Sequence, residues 1–299
     1  MGAVAVTMLV VPQMASAATP SRFIDTSNNE WTVAVENGVT AWAVDSPAHR
    51  YVLRIHVKPS SRRAYVVNPT GTNARVGNIG RHGGHRILAY AVVGHTGILG
   101  NWNVAFWDLA HRRKLTVPSN VNTATSAERY PSVSGNHLLF GRGPKSKRFS
   151  TAIYLYTFSS HTLRKIASAP RGGSAFADRV NGDFATYTLC PSTLKCHVFR
   201  YRISTRGTLS LPNGGRADYY STVDSNGNLY YVEGSPSRCG FHTELRRWHA
   251  GTSRKLTGFA NGIEIGPTYV HEVPGTDRLF FTRIKCGTSP KEGIWKIAA

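Results

Sequence analysis

Five carboxylates recur at roughly one phase of this chain. Glu30, Glu128, Asp178, Asp218 and Glu264 each stand 4 to 11 residues ahead of a glycine that marks a turn, with Arg75, Arg129, Tyr130, Arg179, Arg216 and Tyr219 at or beside the same phase. Such a set could do two kinds of chemistry. Arginines and acids gathered at one opening can bind a polar ligand or a peptide, and carboxylate oxygens there could hold a cation. Two acids facing each other about 5 to 10 Å apart could instead act on a glycosidic bond. The plainer alternative, and the favoured one, is that these acids and arginines pair to satisfy loop ends.

Other chemistry has little support. There is no Gly-x-Ser-x-Gly elbow, no His-Glu-x-x-His and no phosphate-binding glycine loop ahead of a helix. Of 12 histidines, only His82 and His85 have a ligand-like spacing. They sit in Gly80-Arg-His-Gly-Gly-His85 with no carboxylate nearby in sequence, which favours a turn or surface role. No metal and no cofactor is expected.

Bringing residues from 30 to 264 to one opening requires a closed repeat. Turn glycines stand at 38, 84, 135, 182, 227 and 275, spaced 45 to 51 residues apart, and each precedes an apolar run such as His137-Leu-Leu-Phe or Asn228-Leu-Tyr-Tyr. A second hairpin follows within the period, as in Ile153-Tyr-Leu-Tyr-Thr-Phe leading to Leu163-Arg-Lys-Ile-Ala. Alternating β-branched and aromatic residues between Gly, Ser and Asn clusters are strands and turns. Four strands per period of this length make a propeller blade. The expected fold is all-β, a six-bladed β-propeller of four-stranded antiparallel blades spanning residues 18–299. The last blade is one strand short, since Gly293-Ile-Trp-Lys-Ile-Ala supplies only its third. An open edge there would leave unpaired backbone groups, so Arg22-Phe-Ile-Asp25 is expected to fill the slot. A two-sheet sandwich, or two small all-β domains, is disfavoured because neither needs an even spacing over the full length.

Tyr130-Pro-Ser-Val-Ser-Gly135-Asn-His-Leu-Leu-Phe and Ser221-Thr-Val-Asp-Ser-Asn-Gly227-Asn-Leu-Tyr-Tyr resemble the blade motif of the TolB-like six-bladed propellers, a Pro-x-Trp-Ser-Pro-Asp-Gly turn followed by an apolar strand. Here Val replaces the Trp and no copy keeps Pro-Asp-Gly. The resemblance implies a role in periplasmic or extracellular protein contacts, or a propeller of the kind joined to hydrolase domains.

Residues 1–17 read as a cleaved signal peptide: an apolar run from Ala3 to Val11, a break at Pro12, and Ala15-Ser-Ala17 as the cleavage pattern. The positive n-region is missing, and the run is too short to cross a bilayer. No other run is long enough for a membrane helix. Four cysteines fit an oxidising compartment. The favoured pairing is Cys190 with Cys196 and Cys239 with Cys286; a four-cysteine zinc site is less favoured because no Cys-x-x-Cys occurs.

Lys and Arg number 36 against 16 Asp and Glu, a formal charge of +20. Clusters lie at Ser61-Arg-Arg63, His111-Arg-Arg-Lys114, Lys145-Ser-Lys-Arg148 and Arg246-Arg247. Such a field attracts polyanions, although a generally basic solvated surface is the favoured reading of the charge. Nucleic acid is disfavoured, because the aromatics alternate within strands as core residues do and the chain is expected to be exported. The expectation is therefore an exported, monomeric, non-enzymatic propeller that binds a protein or an anionic surface polymer through one face. The alternative is a carbohydrate-active enzyme, a polysaccharide hydrolase or lyase working through carboxylates at the opening.

Overall fold

The computed structural model describes residues 19–24, 30–46, 49–94, 99–192, 195–211, 217–234, 243–259, 263–271, 278–285 and 293–298. The expected leader, Gly275, Arg216, Cys239 and Cys286 lie outside these residues. Among them, 24 strands form six four-stranded antiparallel sheets arranged as a ring.

Strand β1 (Ser21–Ile24) comes first in the chain but belongs to the last blade. Blade one is β2 (Glu30–Glu36), β3 (Val39–Ser46), β4 (His49–Pro59) and β5 (Tyr65–Val66). Blade two is β6 (Asn73–His82), β7 (His85–Val93), β8 (Asn103–Asp108) and β9 (Arg113–Leu115). Blade three is β10 (Ser126–Ser134), β11 (His137–Pro144), β12 (Ala152–Thr157) and β13 (Thr162–Ser168). Blade four is β14 (Ser174–Asn181), β15 (Phe184–Ser192), β16 (Lys195–Arg202) and β17 (Thr208–Ser210). Blade five is β18 (Asp218–Val223), β19 (Leu229–Glu233), β20 (Thr243–His249) and β21 (Thr252–Phe259). Blade six is β22 (Ile263–His271), β23 (Arg278–Lys285) and β24 (Gly293–Ala298), closed by β1 with Ser21 opposite Lys296 and Arg22 opposite Trp295. The closure expected from Arg22-Phe-Ile-Asp25 is thus present over Arg22 to Ile24, with Asp25 outside the described residues.

The turn glycines perform the role assigned to them. Gly38, Gly84, Gly135, Gly182 and Gly227 all have positive φ, between 54° and 81°, in the turn between the first and second strands of their blades. The second strands are apolar without alternation, as in Leu138-Leu-Phe140 and Leu229-Tyr-Tyr-Val232, because both their faces are packed against neighbours. Each large side chain buried this way contributes about 1.5–3 kcal/mol. Fourth strands, such as β13, are largely exposed.

The innermost strands have no strand partner toward the axis, so side chains stitch adjacent blades together. Asn78 on β6 donates from Nδ2 to the carbonyl of Val133 at 2.8 Å and accepts the Val133 N–H at 2.6 Å, acting as a strand partner in miniature. Ser132 Oγ accepts the N–H of Val180 at 2.9 Å, and Thr222 Oγ1 that of Val270 at 3.4 Å. Blades two and three come closer still: a Cβ on Gly77 would lie 1.8 Å from the carbonyl oxygen of Pro131. At one phase all six innermost strands also slip register, for example between Arg129 and Ser132 and between Tyr219 and Thr222. Bulges of this kind re-aim side chains. In blades three and five the bulge carries Tyr130 (φ 55°) and Tyr220 (φ 50°), tyrosines in the left-handed region that side chains rarely occupy.

Candidate functional site

The end of the ring at which each innermost strand begins, here the upper face, carries an arginine recess between blades two and three. Arg75 lies near the start of β6 and Arg129 near the start of β10. Trp102 comes from the β7–β8 connection and Arg148 from the turn between β11 and β12. Backbone bonds tie these segments together: Gly100 N–H donates to the Lys145 carbonyl at 3.0 Å, and Glu128 N–H to that of Trp102 at 2.8 Å. Arg75, Trp102, Arg129, Tyr130 and Arg148 then line a small recess of about 10 Å³, room for about one water-sized group.

Arg129 is the centre of it. Only 3% of the residue is exposed. Its Nη2 donates to the Lys147 carbonyl at 2.8 Å, while Nε and Nη1 are buried without a protein partner. Burial lowers its pKa, and the charge of Arg75 lowers it further. Arg75 stands over the Trp102 ring, 5.5 Å from the centroid, with its own Nε buried and unpartnered. Leaving charged donors buried without acceptors is costly, and the cost falls if an anion enters. Beside the recess Tyr130 packs on Phe176 at 5.4 Å and Phe149 on Phe176 at 5.2 Å, an aromatic shelf next to the cations.

The acids lie elsewhere. Successive strand residues face opposite ways, so Glu128 turns away from Arg129. Its carboxylate is fully buried and accepts Arg142 Nε at 2.9 Å and Thr123 Oγ1 at 3.0 Å. Burial raises its pKa, against the pull of Thr123 and Arg142. Asp178 accepts Thr188 Oγ1 at 2.7 Å and Ser221 Oγ of the next blade at 2.6 Å, and burial pushes its pKa up to about 7. Asp218 is buried beside Glu233 and also rises to about 7. Tyr219 donates its hydroxyl to the Gly234 carbonyl, and Arg179 is buried. Glu30 and Glu264 lie in β2 and β22, with side chains outside the described ones. The structure therefore brings Arg75, Arg129 and Tyr130 together and sets Glu128 and Asp218 in buried surroundings of their own and Asp178 in a half-buried one.

Trp102 and Arg148 were not among the expected site residues. Arg148 belongs to a basic cluster visible in the sequence, but its proximity to Arg129 depends on how two turns lean together. Cys190 and Cys196 form a disulfide between β15 and β16, as expected. A shallow cleft of about 520 Å³ opens near His82, Tyr156 and His161, where His82 stacks on Phe158 at 3.6 Å. Among the described residues no helix is long and apolar enough to cross a membrane.

This is a closed six-bladed β-propeller with a cationic recess on its upper face. In fold it is a TolB-like propeller. The crystal structure of TolB from Acinetobacter baumannii matches with a TM-score of 0.53 and 15% identity, covering 88% of this chain and 64% of that one. The chain thus spans under two thirds of that protein. The structure of a putative TolB from Agrobacterium tumefaciens matches with a TM-score of 0.58 and 9% identity over 92% of this chain and 91% of that one. A chain in the crystal structure of the mitotic checkpoint complex matches with a TM-score of 0.53 and 13% identity over 99% and 90%. At these identities the likeness is one of fold. No protein-family model matches the sequence, and no curated protein does.

Proposed function

We propose that this chain is an exported, non-enzymatic propeller that holds a partner protein on its upper face, with the arginine recess taking one acidic side chain of that partner. The observation that carries the reading is Arg129, buried at 3% exposure with Nε and Nη1 unpartnered. A carboxylate entering the recess would accept a charge-assisted hydrogen bond from one of these two donors. The recess has room for one carboxylate oxygen and not for a run of phosphates, and the aromatic shelf of Tyr130, Phe149 and Phe176 suits apolar residues flanking it. The formal charge of +20 speeds the approach of an acidic partner. Export rests on the apolar run ending in Ala15-Ser-Ala17 and on the Cys190–Cys196 disulfide.

The experiment is a titration with a short glutamate-containing peptide, followed by Trp102 fluorescence, for wild type, Arg129→Met and a surface control, Arg63→Gln. Hydrogen bonds to charged groups contribute about 1.5–3 kcal/mol. Arg129→Met should therefore weaken binding by about tenfold or more, and the control by less than about twofold. Equal affinities in all three proteins would refute the recess as the binding site. Tight binding of a glycerol-phosphate polymer, steeply weakened by salt and indifferent to Arg129→Met, would favour the surface-polymer reading instead.

A further inference from the structure

At the opposite, lower end of blade two, three potential metal ligands converge. His85 opens β7, Asp108 ends β8, and His111 stands in the turn to β9. The Asp108 carboxylate is fully buried, whereas the two imidazoles keep 40% and 61% of their side-chain surface open. Oδ1 of Asp108 accepts the backbone N–H groups of Ala110 at 2.9 Å and His111 at 3.2 Å, which fixes the turn. Oδ2 lies 2.9 Å from Nδ1 of His85 and 2.7 Å from Nδ1 of His111. Ligand atoms from all three residues fall within 4.8 Å of one another.

Two imidazole nitrogens aimed at one carboxylate oxygen must each carry a proton there, or lone pairs would face lone pairs. A single divalent ion can replace both protons. Each neutral ring then keeps its one proton on Nε2, and the carboxylate becomes a ligand instead of an acceptor. We propose that His85, Asp108 and His111 bind one borderline divalent transition ion, Zn2+ or Cu2+, through Nδ1, Oδ2 and Nδ1. Metal bonds of about 2.0–2.2 Å need Oδ2 to draw away from each Nδ1 by only about half an ångström. Two nitrogens and one oxygen suit Zn2+ or Cu2+ and do not suit Ca2+ or Mg2+, which require oxygen-rich shells. The exposed side of the rings leaves the remaining coordination positions to water. Arg86, whose guanidinium donates to the Asn37 carbonyl at 3.1 Å, and Arg112 and Arg113 place positive charge nearby, so the affinity is moderate.

The test uses the full chain without a histidine tag. Calorimetry with Zn2+ should give one ion per chain at pH 7.5, and the electron paramagnetic resonance spectrum of the Cu2+ form should show two nitrogen ligands. His85→Gln and His111→Gln should each weaken binding at least tenfold while melting like wild type without metal. His161→Gln, whose ring bonds Tyr156 at another turn, should bind as wild type does. If His111→Gln melts lower without metal, the His85 variant and the nitrogen count decide. Absence of binding up to millimolar Zn2+ and Cu2+, or an unchanged affinity in the His85/His111 double variant, overturns the proposal.

Discussion

Replacing Asp218 with Asn should change stability little in acid and raise it at alkaline pH. Asp218 opens β18 and is 3% exposed. Burial, then repulsion from Glu233, pushes its pKa from the ordinary 3.8 to about 7, with Arg246 offsetting part of the rise. Arg246 is shared, lying 3.0 Å from Glu233 and 2.7 Å from Glu244. A raised carboxyl pKa means that folding favours the protonated form. Its contribution is therefore fully present below about pH 4, is lost as pH rises through 7, and is constant above that. About 3 pKa units correspond to at most ~4 kcal/mol, or about 8 °C in melting temperature for a chain of this size. The Asn side chain is neutral throughout. Thermal melts at pH 4.5, 6 and 8 should show the variant close to wild type at pH 4.5 and clearly more stable at pH 8. His56, His82 and His137, whose pKa values burial lowers, titrate in both proteins and cancel in the difference. A difference in melting temperature that stays constant from pH 4.5 to 8 would show that the buried charge has been misjudged.

Two other perturbations test the ring itself. Deleting residues 19–24 removes the partner of β24 and the edge-on contact of Phe23 with Phe280, centroids 4.9 Å apart. The melting temperature should fall by more than about 5 °C, with hydrogen exchange accelerated first in residues 293–298; an unchanged melt would mean that the closure is dispensable. Gly77→Ala would set a Cβ 1.8 Å from the Pro131 carbonyl oxygen and 2.9 Å from that of Ala89, so chemical denaturation should show a loss of about 3 kcal/mol or more. Gly94→Ala, whose Cβ would meet nothing within 4 Å, should stay within about 0.5 kcal/mol of wild type.

The architecture was legible because one local rule repeats. Blades one to five each place a residue with positive φ between their first two strands, and Gly38, Gly84, Gly135, Gly182 and Gly227 report that need directly. The missing strand of the last blade was legible for a similar reason, since an unpaired edge at Gly293–Ala298 demanded a partner. The site was less so. A shared phase along the chain places Arg75, Arg129 and Tyr130 at one height in the ring, but which way a side chain points depends on strand parity and on the bulge. One residue of difference sends Glu128 to Arg142 and Arg129 to the recess. Asp108 lies 23 residues from His85, and only the pairing of β7 with β8 brings them together.

The pairing of Ser21 with Lys296 also sets an order of events. Joining two points so far apart in an unfolded chain costs on the order of 5 kcal/mol of entropy. Once the intervening sheets have stacked, that freedom is already gone and the two ends arrive as neighbours. Closure therefore comes at least cost after the other sheets have stacked, and a chain cut short before Gly293 leaves β1 without its partner.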